Sequence, residues 1–139
     1  MLLKFAFENF LSFKKSATIN FEASSNREMP ENTMVFPNTP NDLRVLKSIA
    51  IYGANASGKS NILKAFMLVR NLVIYSASDT KSEHIHSVNQ YKLDASTENG
   101  PSLFEGTILI DGNQYRYGFL ITKERRGRRR HSLRVPWWF

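Results

Sequence analysis

The sequence contains no cysteine, so it can form neither a disulfide nor a thiolate metal site. It also has no apolar run long enough for a secretory h-region or a membrane-spanning helix, and its first ten residues already include Lys4 and Glu8. We therefore expect a cytoplasmic protein that does not bind a membrane. Its 139 residues correspond to one folding domain, since domains of ~100 to 200 residues are typical.

The net charge of +7 is concentrated near the C-terminus. From Lys123 onward there are seven basic residues and one acidic residue, whereas the preceding 122 residues contain 12 basic and 11 acidic residues. The basic character therefore belongs to a C-terminal tail, and the nucleic-acid binding that such charge favours is expected only there.

Alternation of apolar and polar residues predicts two N-terminal strands joined as a hairpin, over residues 2–10 and around residues 18–21. Residues 24–42 are rich in Ser, Asn, Thr and Pro, and we expect a long loop there. Residues 43–53 are mostly apolar and end in Gly53, which is typical of a strand buried on both faces. These features indicate an α/β fold.

A helix is predicted next, because apolar residues recur at helical spacing from Ile62 to Val73. The polar stretch over residues 79–101 is expected to be irregular, apart from a possible short strand at residues 88–93. Asp111 and Gly112 separate two β-rich runs and predict a hairpin.

The segment "GANASGKS" follows the predicted strand and opens the predicted helix. Gly53, Gly58, Lys59 and Ser60 fit the phosphate-loop pattern G-x-x-x-x-G-K-[ST]. In that pattern the glycines let successive N–H groups, here those of residues 55–60, point at phosphate oxygens beside the positive end of a helix. Lys59 can then reach the β and γ phosphates, and the Ser60 hydroxyl can take one Mg²⁺ position. The alternative is a tight strand-to-helix turn that binds nothing.

Two segments resemble a known family. "GANASGKSN", residues 53–61, is similar to the loop of ATPases related to the SMC and RecF proteins, and "FENFLSFK", residues 7–14, resembles the hairpin with which such heads begin. Together they look most like the N-terminal lobe of a bacterial AAA/ABC-type ATPase of the abortive-infection or OLD-like group. The resemblance covers about residues 1–124 and implies antiparallel strands and hairpins around a strand, a P-loop and a helix.

The resemblance also implies ligands and partners. ATP and Mg²⁺ would be bound by the loop and the N-terminal turn, with Ser60 as the metal ligand and Lys14 near the adenine. The partners would be a second ATPase head, as a homodimer of the complete protein, and DNA. The role would be in phage defence or DNA maintenance. The implied nucleotide-binding residues are Gly53, Ala54, Asn55, Ala56, Ser57, Gly58, Lys59, Ser60, Asn61, Ser12 and Phe13.

The hydrolytic residues of such heads have no counterpart in the sequence. The nearest match to an apolar strand ending in Asp-Glu is "TILIDG", where Gly112 follows Asp111, and a hairpin turn explains it better. No "LSGG"-like signature and no later switch histidine are present. We therefore assign no catalytic residue and expect a truncated or frame-shifted head, with residues 125–139 outside the domain and hydrolysis near background.

Several alternatives stay open. The tail could bind nucleic acid through its arginines, with Trp137 and Trp138 stacking on bases, and a small P-loop kinase or GTPase is a more distant possibility. Gln90 could position water or metal, but an exposed loop amide is the simpler expectation. His84 and His86 could bind a metal, but two loop histidines without a third ligand are favoured.

Overall fold

The computed structural model describes residues 1–37, 39, 42–75, 88–123 and 129–134. A 3₁₀ turn, Pro30–Asn32, precedes the third strand. In chain order, the strands and helices of the described residues are β1 (Leu2–Glu8), β2 (Ala17–Asn20), β3 (Thr33–Phe36), β4 (Leu43–Leu46), α1 (Lys59–Tyr75), α2 (Ala95–Glu98), β5 (Ser102–Ile110), β6 (Asn113–Lys123) and β7 (Arg129–Arg134). One sheet has the strand order β2-β1-β5-β6-β7, and β3 pairs with β4 in a second. All these strand pairs are antiparallel. Together with α1 and α2 they make a mixed α/β fold.

Both predicted hairpins are confirmed. β1 pairs with β2, with Phe7 opposite Ala17, and β5 pairs with β6, with Ile110 opposite Asn113. The second hairpin turns at Asp111 and Gly112, whose φ angles of 50° and 80° are both positive, as a two-residue type I′ turn requires. Asp111 is thus a turn residue, as the sequence predicted.

The predicted helix is confirmed as α1, and one of its faces forms the main core with the large sheet. The ring centroids of Phe5 and Phe66 lie 4.1 Å apart in a stacked arrangement, which fixes the helix over β1. Each large side chain removed from water here contributes about 1.5–3 kcal/mol. The buried members are Phe5, Phe7, Phe10, Ala65, Leu68, Leu72, Val88, Phe104, Phe119 and Ile121.

A smaller cluster attaches the two-stranded sheet to the end of the large one. Leu3, Val45 and Leu109 are buried in it, and Phe21 packs against them from the strand β2 side. Backbone bonds add to this contact, since the Leu46 N–H donates to Phe21 O at 2.7 Å. The segment that leads to the phosphate loop is therefore held by the fold up to Leu46.

Two predictions for residues 24–53 are wrong in part. The expected loop contains the Pro30–Asn32 turn and β3, and the expected strand over residues 43–53 ends at Leu46. Among the described residues, 48–53 form no strand, and Ile51 and Tyr52 are 40% and 89% exposed. Apolar, β-branched composition predicts extended backbone, but burial also needs neighbouring strands, and β3 pairs only with residues 43–46.

Two further segments differ from expectation. Residues 88–93 are not a strand and lead into α2, whose N-cap Asp94 accepts from the Ser96 N–H at 2.8 Å. Residues 129–134, which carry no apolar alternation, form the edge strand β7 beside β6. The domain boundary at residue 124 stays a prediction. Within the described part of the chain, no helix has the length and hydropathy needed to cross a bilayer.

Candidate functional site

The phosphate loop is shaped by a close approach to the N-terminal turn between β1 and β2. Gly58 has a φ of 96°, and a Cβ there would lie 2.6 Å from Ser12 Oγ and 3.1 Å from the Phe13 ring. A side chain at this position would collide with the turn in a conformation that L-residues rarely adopt. A Cβ at Gly53 would also lie only 2.9 Å from Ser57 Oγ. Glycine is therefore required at position 58, whereas a small rotation of Ser57 could relieve the contact at position 53.

The N-terminal turn is fastened to the start of α1. Asn61 Nδ2 donates to Ser12 Oγ at 2.9 Å, and the Phe13 ring packs edge-on against Phe7 with centroids 4.9 Å apart. The structure thus brings Ser12, Phe13 and Asn61 together with the loop, and their binding of a nucleotide stays a prediction. Through this hydrogen bond Asn61 ties the turn to the helix.

Lys59 lies folded over the loop that precedes it. Its Nζ donates to Gly53 O at 2.8 Å and to Ala54 O at 2.6 Å. The amine is therefore positioned inside the turn of the loop, on carbonyls that a stronger anionic partner could replace. The rest of the loop is exposed: Gly53, Ala54, Asn55, Ala56, Ser57 and Ser60.

The first turn of α1 presents unpaired donors to the loop. The N–H groups of Asn61 and Ile62 donate to Gly58 O at 2.9 and 3.2 Å, whereas no backbone carbonyl of the described residues accepts from Lys59 or Ser60. Such orphan N–H groups carry the positive end of the helix dipole. The first turn of α1 has no acidic residue to neutralise it. This arrangement can bind a polyphosphate by backbone donors and one amine.

The site suits a Mg²⁺ ion that is bound mainly through phosphate oxygens, with few protein ligands. In the described part of the chain, no group of three or more His, Cys, Asp or Glu side chains could hold a metal. Mg²⁺ commonly keeps several waters and takes only one or two protein ligands beside substrate phosphates. The exposed Ser60 hydroxyl, next to the loop, suits that single protein contact.

Sequence reasoning missed Asn9, which is 4% exposed and adopts a φ of 51°. Its side chain joins β1 to the segment before β5, and Oδ1 accepts from the Tyr91 N–H at 3.0 Å. The Nδ2 group donates to Thr97 O, Gly100 O and Pro101 O at 2.8, 3.2 and 3.1 Å. The only sequence signal was its place in "FENF", at the end of a predicted strand.

The expectation of an exposed Gln90 is wrong. Gln90 is 6% exposed, and its Nε2 is the one buried side-chain nitrogen or oxygen of the described residues that has no hydrogen-bond partner. Burial follows from packing of residues 88–90 between the N-terminal turn and α1, where Leu11 N–H donates to Asn89 O at 2.8 Å. A polar segment without periodicity gives no sign of this.

Lys14 pairs with Asp94, the residue that caps α2. Its ammonium group makes a salt bridge with Asp94, and this hydrogen bond raises the pKa of Lys14 above its ordinary value. The same bond, followed by those from Ser96, holds the pKa of Asp94 well below its usual range. The side chain expected near the adenine therefore anchors the start of α2. His84, His86, Trp137 and Trp138 lie outside the described residues.

A glycine-containing loop that leads into a helix at Lys59 and Ser60 is the defining feature of P-loop nucleotide-binding domains. Residues 48–139, about two thirds of the chain, match the family described as "AAA domain, putative AbiEii toxin, Type IV TA system". The chain belongs to this family of AAA domains. No curated protein and no solved structure matches it.

Proposed function

We propose that the chain binds ATP with Mg²⁺ at residues 53–60, as part of an SMC/RecF-like ATPase head. The observation that carries this proposal is the position of the Lys59 amine, 2.6–2.8 Å from two loop carbonyls and beside the unpaired donors of α1. In a phosphate loop the amine lies at this place, where it can exchange its carbonyl partners for phosphate oxygens.

In this proposal the N–H groups of residues 55–60 donate to phosphate oxygens, and Lys59 exchanges its carbonyl partners for the β and γ phosphates. Ser60 contacts the metal, which when bound supplies positive charge against the phosphates. Ser12 and Phe13 close one side of the site, because Gly58 allows them to touch the loop. Asn61 acts through Ser12, to which its amide is bonded.

The biological role belongs to the same proposal. The family description names a toxin of a toxin–antitoxin system, which supports a role in abortive infection or phage defence. By resemblance, two heads would bind ATP between them, and DNA would be the target. This sequence contains no counterpart of the catalytic glutamate or of the signature motif, so in this proposal other polypeptide segments would supply them.

Binding of fluorescent ATP to wild type, Lys59→Ala and Lys64→Ala tests the proposal. Lys64 is an exposed lysine of the same helix and serves as the matched control. We expect Lys59→Ala to weaken binding by at least about tenfold, because a charge-assisted hydrogen bond to phosphate is lost, and Lys64→Ala to bind like wild type. Equal affinity of Lys59→Ala and wild type would contradict the proposal.

A second candidate function, nucleic-acid binding, is favoured by one observation. The edge strand β7 contains Arg129, Arg130 and Arg134, and arginines can contact phosphates. Replacing all three by Gln should weaken DNA binding and reduce its salt dependence if this strand binds DNA. Unchanged DNA affinity in the triple variant would exclude β7 as the contact.

A further inference from the structure

β6 has a partner strand along most of its length on one side, but along only half of it on the other. β5 pairs with residues 113–121 of β6, whereas β7 pairs only with residues 118–123. β7 is the edge strand of the sheet. Within the described part of the chain, no strand lies beside Arg116 and Tyr117 on that outer side. Such an edge can accept the backbone of a further extended segment.

β7 leads directly toward this edge. It runs antiparallel to β6 and ends at Arg134, which lies opposite Gly118. Residues 135–139 follow with the sequence VPWWF and fall within the family match. Continued in the same register, Val135 comes opposite Tyr117, and each later residue comes one position further along β6. The chain therefore reaches the edge without a change of direction.

The composition of residues 135–139 suits a strand at the edge of a sheet. Val, Trp and Phe are enriched in strands, and the segment has no charged residue. Its one proline, Pro136, is compatible with an edge strand, in which the missing N–H can face solvent. Aromatic side chains left in water would forgo the free energy that burial of apolar area provides.

We propose that residues 135–139 extend β7 and cover the outer edge of β6, so that this chain's own C-terminal segment occupies that edge. Residues opposite each other in antiparallel strands have their side chains on the same face of the sheet. Tyr117 shares its face with Phe119, and their rings lie edge-on with centroids 4.9 Å apart. Both belong to the core that α1 covers. Val135, opposite Tyr117, would add to that core.

The same register places the two tryptophans on opposite faces of the sheet, because side chains alternate along a strand. Trp137 lies on the face of Tyr117, toward α1, and Trp138 lies on the other face, opposite the exposed Gln114. This arrangement differs from the sequence-based expectation that residues 125–139 lie outside the domain. It does not depend on the proposed function, since it involves no residue of the phosphate loop.

Tryptophan fluorescence tests the proposal directly, because both tryptophans of the sequence belong to this segment. In the full chain, Trp138→Phe leaves Trp137 as the single reporter, and Trp137→Phe leaves Trp138. The emission maximum and the collisional quenching by acrylamide are measured for each. We expect the emission of Trp137 to lie at shorter wavelength than in the urea-unfolded chain, and its quenching to be several-fold slower. Trp138, next to an exposed residue, should be quenched faster than Trp137.

Two tyrosine variants, made in the Trp138→Phe chain, test the contact with β6. Tyr117 lies diagonally across from Trp137 in the proposed register, within reach of an aromatic side chain. We therefore expect Tyr117→Ala to increase the quenching of Trp137. Tyr52→Ala is the matched control, since Tyr52 is 89% exposed and lies before the phosphate loop, and it should leave the quenching unchanged. Should Tyr117→Ala fail to fold, the comparison of the two reporters still decides.

Emission and quenching of both reporters equal to those of the unfolded chain would overturn the proposal. Equal quenching of the two reporters in the folded chain would do the same, because it contradicts the register. Protection of Trp137 that disappears on dilution would assign the edge to a second copy of the chain and not to residues 135–139. Quenching of both reporters by oligothymidylate would assign the segment to nucleic acid, as stacking on bases predicts, and would also overturn the proposal.

Discussion

At the residue scale, the phosphate loop depends on positions that the sequence pattern identifies and on others that it does not. Gly58, Lys59 and Ser60 could be predicted because the pattern fixes their spacing and their chemistry requires those residue types. The burial of Asn9 and Gln90 could not, because it arises from the way β1, α1 and residues 88–101 pack together. Isolated polar residues carry no periodic signal of such packing.

Replacing Gly58 tests the contact between loop and turn. We expect Gly58→Ala to destabilise the free protein by about 1–3 kcal/mol, because the new Cβ would overlap Ser12 and Phe13, and to weaken ATP binding as the turn moves. Urea unfolding and ATP titration measure the two effects. Gly112→Ala is the control, since its φ is also positive, at 80°, but nothing lies within 4 Å of the added Cβ. Equal behaviour of the two variants, including equal ATP affinity, would show that the contact has no effect on the site.

At the scale of elements, local signals were sufficient for the hairpins and for α1. The Asp111–Gly112 turn and the helical spacing from Ile62 are properties of neighbouring residues. The strand predicted over residues 43–53 failed beyond Leu46 because its burial depends on partner strands distant in sequence. β7 was missed for the same reason: pairing with β6, and not apolar alternation, makes it a strand.

The Asn9 side chain is expected to hold residues 91–101 against β1. Asn9→Ala should destabilise the protein by about 3 kcal/mol, because one partly buried N–H and several carbonyls lose their partner. Hydrogen exchange of the Tyr91 amide should accelerate more than that of amides in the β5–β6 hairpin. Uniform acceleration across the sheet, or none at Tyr91, would contradict a local role.

The salt bridge between Lys14 and Asp94 predicts a pH dependence of stability. The hydrogen bond from Lys14 lowers the pKa of Asp94 from its ordinary 3.8, so the stabilisation is present above about pH 4 and is lost as the pH falls toward the lower folded-state pKa. The pKa of Lys14 is raised above its ordinary 10.5. Its stabilisation of the fold is therefore fully present below pH 10.5 and is lost as the pH rises through the folded-state pKa. Asp94→Asn should therefore have a lower urea midpoint than wild type at pH 7, and the difference should narrow at pH 3. In a Lys14→Met background, Asp94→Asn should change the urea midpoint much less. A change in midpoint that is the same at pH 7 and pH 3 would refute the pairing.

At the scale of the whole molecule, the described residues form a five-stranded sheet with α1 packed on it, a two-stranded sheet at its end, and a phosphate loop at the start of α1. One face of α1 packs on the sheet, while Leu63, Met67 and Ile74 on another face are 60%, 64% and 51% exposed. Ile51 and Tyr52, just before the loop, are exposed as well. Most residues of the loop are exposed too, which suits the proposed binding of a nucleotide there.

Triphosphate binding by residues 53–60 is tested most directly by measuring how far MgATP stabilises the whole chain. A ligand that binds only the folded state stabilises it by about 2.7 kcal/mol at one hundred times its Kd, so the unfolding temperature of wild type should rise steadily with MgATP concentration. The rise should be absent in Lys59→Ala and retained in Lys64→Ala. A wild-type unfolding temperature that does not change with MgATP, or one that rises equally in Lys59→Ala, would contradict the claim that residues 53–60 bind the triphosphate.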